Sequence, residues 1–262
     1  MILRGNRENK SVLVAQTDHS QLVGQMASHW GNNLFDSPKP YDSVVRGAIY
    51  HDYAWLLYET SPRIDPSSHQ PYGFLQLPLG KSQLAAYQWL LDWMNNQDPY
   101  SALLMSRHRT GLWKARYETI KYPKGYNLSK PSPEIAEFIE RNEQWQEKIK
   151  AGFDADTFDF NYRLLQVWDL LGLYFCCHEV GEDYIDPVPV SYSKAPKEGV
   201  RMKMTPLSTT KVKFDPYPFD VNPVKIQLRY KLVEPGPFED DLAFRKAYFQ
   251  AANELIEYEL SS

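Results

Sequence analysis

Apolar residues recur at helical spacing through most of the first 180 positions of this chain. Residues three and four apart in sequence fall on one face of a helix, so this spacing predicts a buried stripe along each helix. Six prolines and glycines between residues 60 and 80 interrupt the pattern and predict a long loop. The helices predicted in this way cover residues 17–30, 43–58, 81–95, 99–113, 133–145 and 159–178.

The pattern changes after Asp186, where apolar and polar residues begin to alternate. A period of two is typical of half-buried strands, and three such segments lie at 200–204, 212–214 and 224–232. Helical spacing returns between residues 238 and 260. We therefore predict a mainly α fold with a small C-terminal antiparallel sheet and a terminal helix.

The composition suits a folded protein with one large core. The chain has 262 residues, of which 43% are hydrophobic, so it can bury a main domain and a small appendage. We expect a helical domain over residues 1–185. The sheet and the terminal helix, over residues 186–262, are expected to pack against it.

Charge and hydropathy limit the partners and the location of the protein. The 29 basic and 33 acidic residues leave a net charge of −4, which gives no overall attraction to nucleic acid. The apolar run at 170–177 is far shorter than the roughly 20 residues of a membrane-spanning helix, so no membrane partner is expected. Four charged side chains in the first ten residues argue against a secretory signal. Because the only cysteines, Cys176 and Cys177, are neighbours that rarely form a disulfide, we expect a cytoplasmic protein.

Four of the predicted helices carry a histidine or an aspartate among their buried positions. At about 100° per residue, the side chains that align with the apolar stripe of their own helix are His19, His51, His108 and Asp169. A buried carboxylate without a partner is costly, so Asp169 needs a cation. An arginine such as Arg163 or Arg46 would serve, and so would a metal ion held together with the histidines.

These residues follow one another in a recognisable order along the chain. His19 lies on a first helix, His51 and Asp52 form a doublet on the next, and Asp169 lies on a later helix. This order resembles the HD superfamily of metal-dependent phosphohydrolases. The resemblance implies an HD-domain-like helical bundle in which these four residues hold a metal. His108 falls where two-metal members carry additional histidines, so one or two divalent transition metals are expected, with Fe, Mn, Ni, Co and Zn as candidates.

A narrower resemblance is to an uncharacterised bacterial HD-like family of unknown function. The segments 16–19, 51–55 and 215–219 carry it, together with His108. The loop over residues 60–80 directly follows the doublet helix and is placed to cover the site.

The resemblance to the HD superfamily implies hydrolysis of a phosphoester on a small phosphorylated molecule: a phosphomonoester, a phosphodiester or a nucleotide. A metal-bound water is acidic enough to act as the nucleophile near neutral pH. Asp52 and His108 are the expected catalytic groups, while Arg107 and Arg109 flank His108 and are expected to bind phosphate oxygens. Two alternatives stay open: an HD-type di-iron oxygenase, and a non-catalytic regulatory protein that keeps the metal or ligand site.

The predicted sheet is strongly basic. Between Lys194 and Lys231 the chain has nine lysines and arginines against three acidic residues. Because alternate residues of a strand share a face, seven basic side chains should lie on one side of the sheet: Arg201, Lys203, Lys211, Lys213, Lys225, Arg229 and Lys231. We favour a solvated face that protects the sheet from aggregation, with a nucleic-acid-binding surface as the alternative.

Overall fold

The computed structural model describes residues 1–118, 131–194 and 198–262, and helices take up 46% of it and strands 21%. Within these ranges the helices are α1 (Gln16–Ser28), α2 (Tyr41–Tyr50), α3 (Leu56–Glu59), α4 (Lys81–Gln97), α5 (Pro99–Leu112), α6 (Pro133–Lys150), α7 (Ala155–Cys176) and α8 (Asp241–Gln250). Short 3₁₀ turns lie at Tyr53–Trp55 and Ala115–Glu118. The strands are β1 (Ile2–Arg7), β2 (Lys10–Val14), β3 (Asp183–Val188), β4 (Val200–Pro206), β5 (Lys211–Asp215), β6 (Val224–Val233) and β7 (Asn253–Ser261). Each helix in the described ranges is too short or too polar to cross a lipid bilayer.

The prediction of a mainly α, HD-domain-like bundle with a small antiparallel sheet is wrong. The seven described strands form one curled, half-barrel sheet in the order β1-β2-β6-β7-β5-β4-β3. Neighbouring strands run antiparallel except β5 and β7, which are parallel, so the sheet is mixed. The sheet thus takes strands from both ends of the chain. The division into two domains at residue 185 stays a prediction.

The predicted terminal helix over residues 238–260 is wrong in its second half. Helix α8 ends at Gln250, and β7 follows it. In β7, Tyr258 and Leu260 are buried whereas Glu257 is exposed, which is the alternation of a strand. Strand β7 pairs with β6 along almost its whole length, and these backbone hydrogen bonds to a distant segment decide its conformation.

Strands β1 and β2 are not predicted by the sequence pattern. Strand β1 lies at the edge of the sheet, where only Ile2 is fully buried. The register between the two strands shifts between Leu3 and Gly5, which breaks the period of two. Strand β1 is irregular and mostly exposed, and β2 has only five residues, of which the last three are all buried, so neither shows the alternation of a half-buried strand.

Helix α7 is the central element of the core. Its residues are buried continuously from Phe160 to Cys176, as expected of a helix with neighbours on every side. It packs against α1, α2, α5 and β3. The rings of Trp168 and Trp30 meet edge to face with centroids 5.8 Å apart, and Trp30 contacts Phe219 in the same way. This packing brings the buried faces of α1, α2, α5 and α7 together.

The basic face of the sheet carries its own counter-charges. Lys225 donates to Glu257 at 2.8 Å. Lys211 donates to Glu259 at 2.9 Å. Both glutamates belong to β7, the strand that the sequence pattern assigns to a helix. Their position supports the interpretation of a solvated, charge-paired face. Lys197, counted in the basic segment, lies outside the described residues.

We expect reversal of four basic charges on this face to leave the affinity for phosphorylated ligands unchanged within about twofold, because a solvated face binds no ligand. The fold should also persist, since exposed ion pairs contribute little to the free energy of unfolding. The variant combines Lys203→Glu, Lys213→Glu, Lys225→Glu and Arg229→Glu. Its solubility should change. In fluorescence anisotropy with labelled RNA and DNA at increasing salt, the variant and the wild-type protein should give the same result. If the wild-type protein instead binds nucleic acid in a salt-sensitive way and this variant does not, the face is a nucleic-acid-binding surface rather than a solvated one.

Candidate metal centre

All five predicted ligands meet in one buried cluster. They are His19 from α1, His51 and Asp52 after the end of α2, His108 from α5 and Asp169 from α7. Each is at most 5% exposed. We call these five residues the His/Asp cluster.

The doublet lies at a break between helices rather than within the helix predicted over residues 43–58. Helix α2 ends just before it, and a 3₁₀ turn follows it. Buried Ser20 in α1 accepts a hydrogen bond from the backbone nitrogen of Asp52 at 3.2 Å, and its Oγ lies 3.1 Å from Nδ1 of His51. Ser20 therefore holds the doublet against α1. Its only sequence signal is its place beside a predicted ligand.

The ligand atoms of the cluster lie close enough to share an ion. Oδ1 of Asp169 is 3.2 Å from Nε2 of His19 and 3.7 Å from Nε2 of His51. Oδ2 of Asp52 is 3.8 Å from Nε2 of His51. Within each of two overlapping groups, His19–His51–Asp169 and His51–Asp52–His108, the ligand atoms lie within 4.8 Å of one another.

A backbone contact orients His51 as a ligand. A carbonyl oxygen only accepts hydrogen bonds, so Nδ1 of His51 donates to the oxygen of Ala48 at 2.7 Å, and the neutral ring keeps its lone pair on Nε2. Nε2 of His51, Nε2 of His108 and Oδ1 of Asp52 are buried without a hydrogen-bond partner among the described residues. Buried polar atoms are almost always partnered, so three such atoms in one cluster favour an ion bound among them.

The electrostatics of the cluster also suit a cation. Burial opposes ionisation of Asp169, but the neighbouring imidazoles of His19 and His51 and the charge of Arg116 outweigh it and hold the pKa of Asp169 well below its usual value. Burial lowers the pKa of His108 to about 3, so this ring is neutral. Burial also opposes protonation of His51, yet the carboxylates of Asp52 and Asp169 raise its pKa. Asp169 and His108 are thus in the forms that bind metals, an ionised carboxylate and a neutral imidazole, whereas a metal ion at His51 would take the place of a proton.

Arg116 is the cationic side chain that contacts Asp169. Its Nη2 donates to Oδ2 of the carboxylate at 2.9 Å. The two arginines considered from the sequence are engaged elsewhere: Arg46 pairs with Asp98 at 3.1 Å, and Arg163 donates to a backbone carbonyl. Arg116 lies in the 3₁₀ turn after α5, where no helical period could have revealed which way its side chain points.

Glu59 holds the start of α1. Ala15 precedes the helix and supplies no side-chain cap. The carboxylate of Glu59 instead accepts hydrogen bonds from the backbone nitrogen of Gln16 and, at 2.7 Å, from the hydroxyl of Thr17. Because a carboxylate at a helix N-terminus satisfies free N–H groups and stabilises the helix dipole, Glu59 fixes the turn that carries His19.

Helices α1 and α7 approach most closely at Gly172. A Cβ atom at this position would lie 2.6 Å from Cε1 of His19 and 2.6 Å from Cγ2 of Val23. These distances are far inside van der Waals contact. The glycine thus allows the imidazole ring to lie directly against α7.

We expect Gly172→Ala to displace His19 and to lower metal affinity at least about tenfold. The added methyl should also reduce the free energy of unfolding by about 1–3 kcal/mol, since overpacking strains a core. Metal titration calorimetry and thermal unfolding measure the two effects. Gly181→Ala is the matched control, because a Cβ there meets no atom within 4 Å. Equal metal affinity in both variants would show that metal binding does not depend on the position of the His19 ring.

A cleft opens onto the His/Asp cluster. The charged residues in its described lining are Asp52, Arg109, Arg116 and Asp169. Much of the remaining lining is apolar, and three residues of the loop predicted to cover the site contribute to it: Phe74, Leu75 and Leu79. The structure therefore places this loop against the cleft.

The two arginines predicted to bind phosphate differ in position. Arg109 lines the cleft, whereas Arg107 is not among the lining residues. The guanidinium of Arg107 lies 3.6 Å from the ring centre of Tyr117. Residues two apart on a helix point about 200° apart, so both could not face one cleft.

A family model described as a protein of unknown function, DUF3891, matches residues 1–235. No curated protein and no solved structure matches. The matched range contains the whole His/Asp cluster.

Proposed function

The chain belongs to DUF3891, a family of proteins of unknown function, and for this member we propose metal-dependent hydrolysis of a phosphoester. The observation that carries the proposal is the His/Asp cluster, in which five buried groups converge and three ligand atoms lack hydrogen-bond partners among the described residues. Imidazole and carboxylate ligands in this combination suit Fe, Mn, Ni, Co and Zn.

The position of His51 favours one metal ion rather than two. Both groups of possible ligands contain His51. Because its Nδ1 donates to the carbonyl of Ala48, only Nε2 remains as a ligand atom, and one lone pair binds one ion. We therefore assign the whole His/Asp cluster to a single divalent ion.

A divalent ion at this cluster would supply an acidified water as the nucleophile. Hydrolysis forms a P–O bond to water and breaks the P–O bond to the alcohol, whose oxygen takes up a proton. Asp52, which lines the cleft, would accept the proton that water gives up, and Arg109 would balance the charge on the phosphate oxygens. His108 stays neutral because burial lowers its pKa to about 3, which favours the role of ligand over that of proton acceptor.

The order of the ligands along the chain supports a likeness to HD-superfamily metal sites, and this likeness is part of the proposal. It concerns the ligand set alone, because the fold is a mixed sheet with helices rather than a helical bundle. The same proposal includes a small phosphorylated substrate. It also includes a cytoplasmic location, because the neighbouring Cys176 and Cys177 suit a reducing compartment.

Hydrolysis of p-nitrophenyl phosphate and of bis(p-nitrophenyl) phosphate tests the proposal. Protein stripped with a chelator should be inactive, and reloading with Mn²⁺, Fe²⁺, Ni²⁺, Co²⁺ or Zn²⁺ should restore release of nitrophenol. Oxygen uptake by the iron-loaded protein without hydrolysis would favour the di-iron oxygenase instead. Folded, metal-loaded protein with neither reaction would favour the non-catalytic regulatory protein.

A further inference from the structure

Two guanidinium groups line the cleft beside the carboxylates of the His/Asp cluster. Nη1 of Arg109 lies 3.6 Å from Oδ1 of Asp52. Nη2 of Arg116 lies 2.9 Å from Oδ2 of Asp169. We propose that Arg109 and Arg116 form a clamp for the dianionic phosphate of a phosphomonoester whose alcohol carries an aromatic or apolar group. This inference deepens the proposed function and rests on it.

Arg109 is a buried arginine held in a fixed orientation. It is 7% exposed, and its Nη1 donates to the hydroxyl of Tyr87 at 2.7 Å. Its guanidinium carbon lies 4.5 Å from the ring centre of Tyr87 and 4.6 Å from that of Trp113. Its Nε has no hydrogen-bond partner among the residues that the structure describes. A buried, pre-oriented cation with an unsatisfied donor favours an anionic ligand in the cleft.

Arg116 reaches the same cleft from a strained turn. The backbones of Ala115, Arg116 and Tyr117 have φ angles of 50°, 53° and 53°, in the left-handed region that side chains other than glycine disfavour. Gln166 of α7 donates to the backbone oxygen of Arg116 at 3.3 Å, and Asp169, on the next turn of α7, accepts from its side chain. Two contacts with α7 thus hold the turn in a costly conformation, which is characteristic of functional sites.

The charge balance of the loaded site favours a dianion. The carboxylates of Asp52 and Asp169 are balanced by the guanidiniums of Arg109 and Arg116. One divalent ion with neutral histidine ligands then leaves two positive charges unbalanced. A phosphomonoester dianion neutralises both, whereas a phosphodiester carries only one negative charge. The site therefore fits a monoester better than a diester.

The walls of the cleft favour an aromatic or apolar alcohol. Trp55, Trp113 and Phe74 lie among the lining residues, together with four leucines. A sugar placed here would lose hydrogen bonds to water without replacing them, which is unfavourable. A flat or apolar group would instead bury its surface against these rings.

Binding of phenylphosphonate to protein loaded with Mn²⁺ tests the inference without requiring turnover, because the P–C bond is not hydrolysed. At alkaline pH, where the phosphonates are dianions, isothermal titration should show phenylphosphonate binding at least about tenfold more tightly than methylphosphonate, through the buried ring. The monoanion methyl phenylphosphonate keeps the ring but loses one charge, and should bind about tenfold more weakly than phenylphosphonate.

Variants of the two arginines identify the clamp. Arg109→Gln and Arg116→Gln should each weaken phenylphosphonate binding about tenfold to a hundredfold. Arg109→Lys and Arg116→Lys keep the charge beside the carboxylates, so they should retain the metal but still bind the probe more weakly. Arg141→Gln, at an exposed position on α6, is the control and should bind as the wild type does.

The outcomes separate the clamp from the hydrolase. Suppose that the metal-loaded protein is active but binds phenylphosphonate no more tightly than methylphosphonate or methyl phenylphosphonate. This result would overturn the proposed substrate class and leave the proposed hydrolase activity standing. An equal loss of affinity in Arg107→Gln and Arg109→Gln would overturn the assignment of the clamp. Wild-type protein that takes up no metal would overturn both proposals. Should an arginine variant fail to fold, the comparison of the three probes on the wild-type protein decides.

Discussion

His51→Ala and Asp52→Ala protein should take up little transition metal, whereas the wild-type protein should hold about one equivalent per chain. Both residues belong to the group of ligand atoms that lie within 4.8 Å of one another. His51 also belongs to the second group, so its loss removes the nitrogen that both groups share. We expect either variant to weaken metal binding at least about a hundredfold, measured by elemental analysis after incubation with Mn²⁺, Fe²⁺, Ni²⁺ or Zn²⁺ and by titration calorimetry.

A surface histidine provides the control for this loss. His29 lies at the end of α1 with 41% of its side chain exposed and contacts Asp220, so His29→Ala should bind metal as the wild type does. Metal should also raise the unfolding temperature of the wild-type protein and of His29→Ala, because ligand binding stabilises the folded state. It should not raise that of the two cluster variants. If the wild-type protein holds no metal after these incubations, the proposed metal site is wrong.

Asp169→Ala should abolish metal-dependent hydrolysis of aryl phosphates, with kcat/KM falling at least about a hundredfold. Oδ1 of Asp169 faces His19 and His51, while Oδ2 accepts from Arg116. The substitution therefore removes a predicted ligand and also leaves Arg116 without its counter-charge, which will lower stability. Asp169→Asn keeps the shape of the side chain but removes the charge and replaces one acceptor oxygen by an NH2 group, so it separates loss of the carboxylate from loss of packing.

Activity and metal content should be measured on the same preparations of these variants. Asp220→Asn, which changes an exposed carboxylate outside the cluster, is the control and should retain full activity. Phosphate release that Asp169→Ala leaves unchanged would assign the activity to a contaminant or to another site. Loss of activity in Asp220→Asn as well would mean that the assay reports folding rather than the site.

The burial of the side chains in the His/Asp cluster could largely be predicted because the direction of a side chain on a helix is a local property. His19, His108 and Asp169 lie on helical stripes whose period of 3.6 residues follows from backbone geometry alone. The same reasoning placed Arg107 and Arg109 together beside His108, although their two-residue spacing separates them. It also continued the helix through His51, where α2 in fact ends.

The sheet could not be predicted in the same way. Strand β2 pairs with β6, from more than two hundred residues later, and β7 lies between β6 and β5. The apolar residues of β7 fit a helical stripe as well as a strand, because Ile256 and Leu260 are spaced four apart. Only pairing with β6 and β5 decides between the two conformations.

By itself the sequence determined which faces of its helices are buried, and hence that several histidines and an aspartate would need a partner inside the core. Only the tertiary structure decided what those partners are. Arg116 meets Asp169 across 53 residues, and Glu59 caps α1 across 43. Hydrophobic periodicity depends on a few neighbouring residues, whereas counter-charges, caps and strand pairs depend on which distant segments the folded core brings into contact.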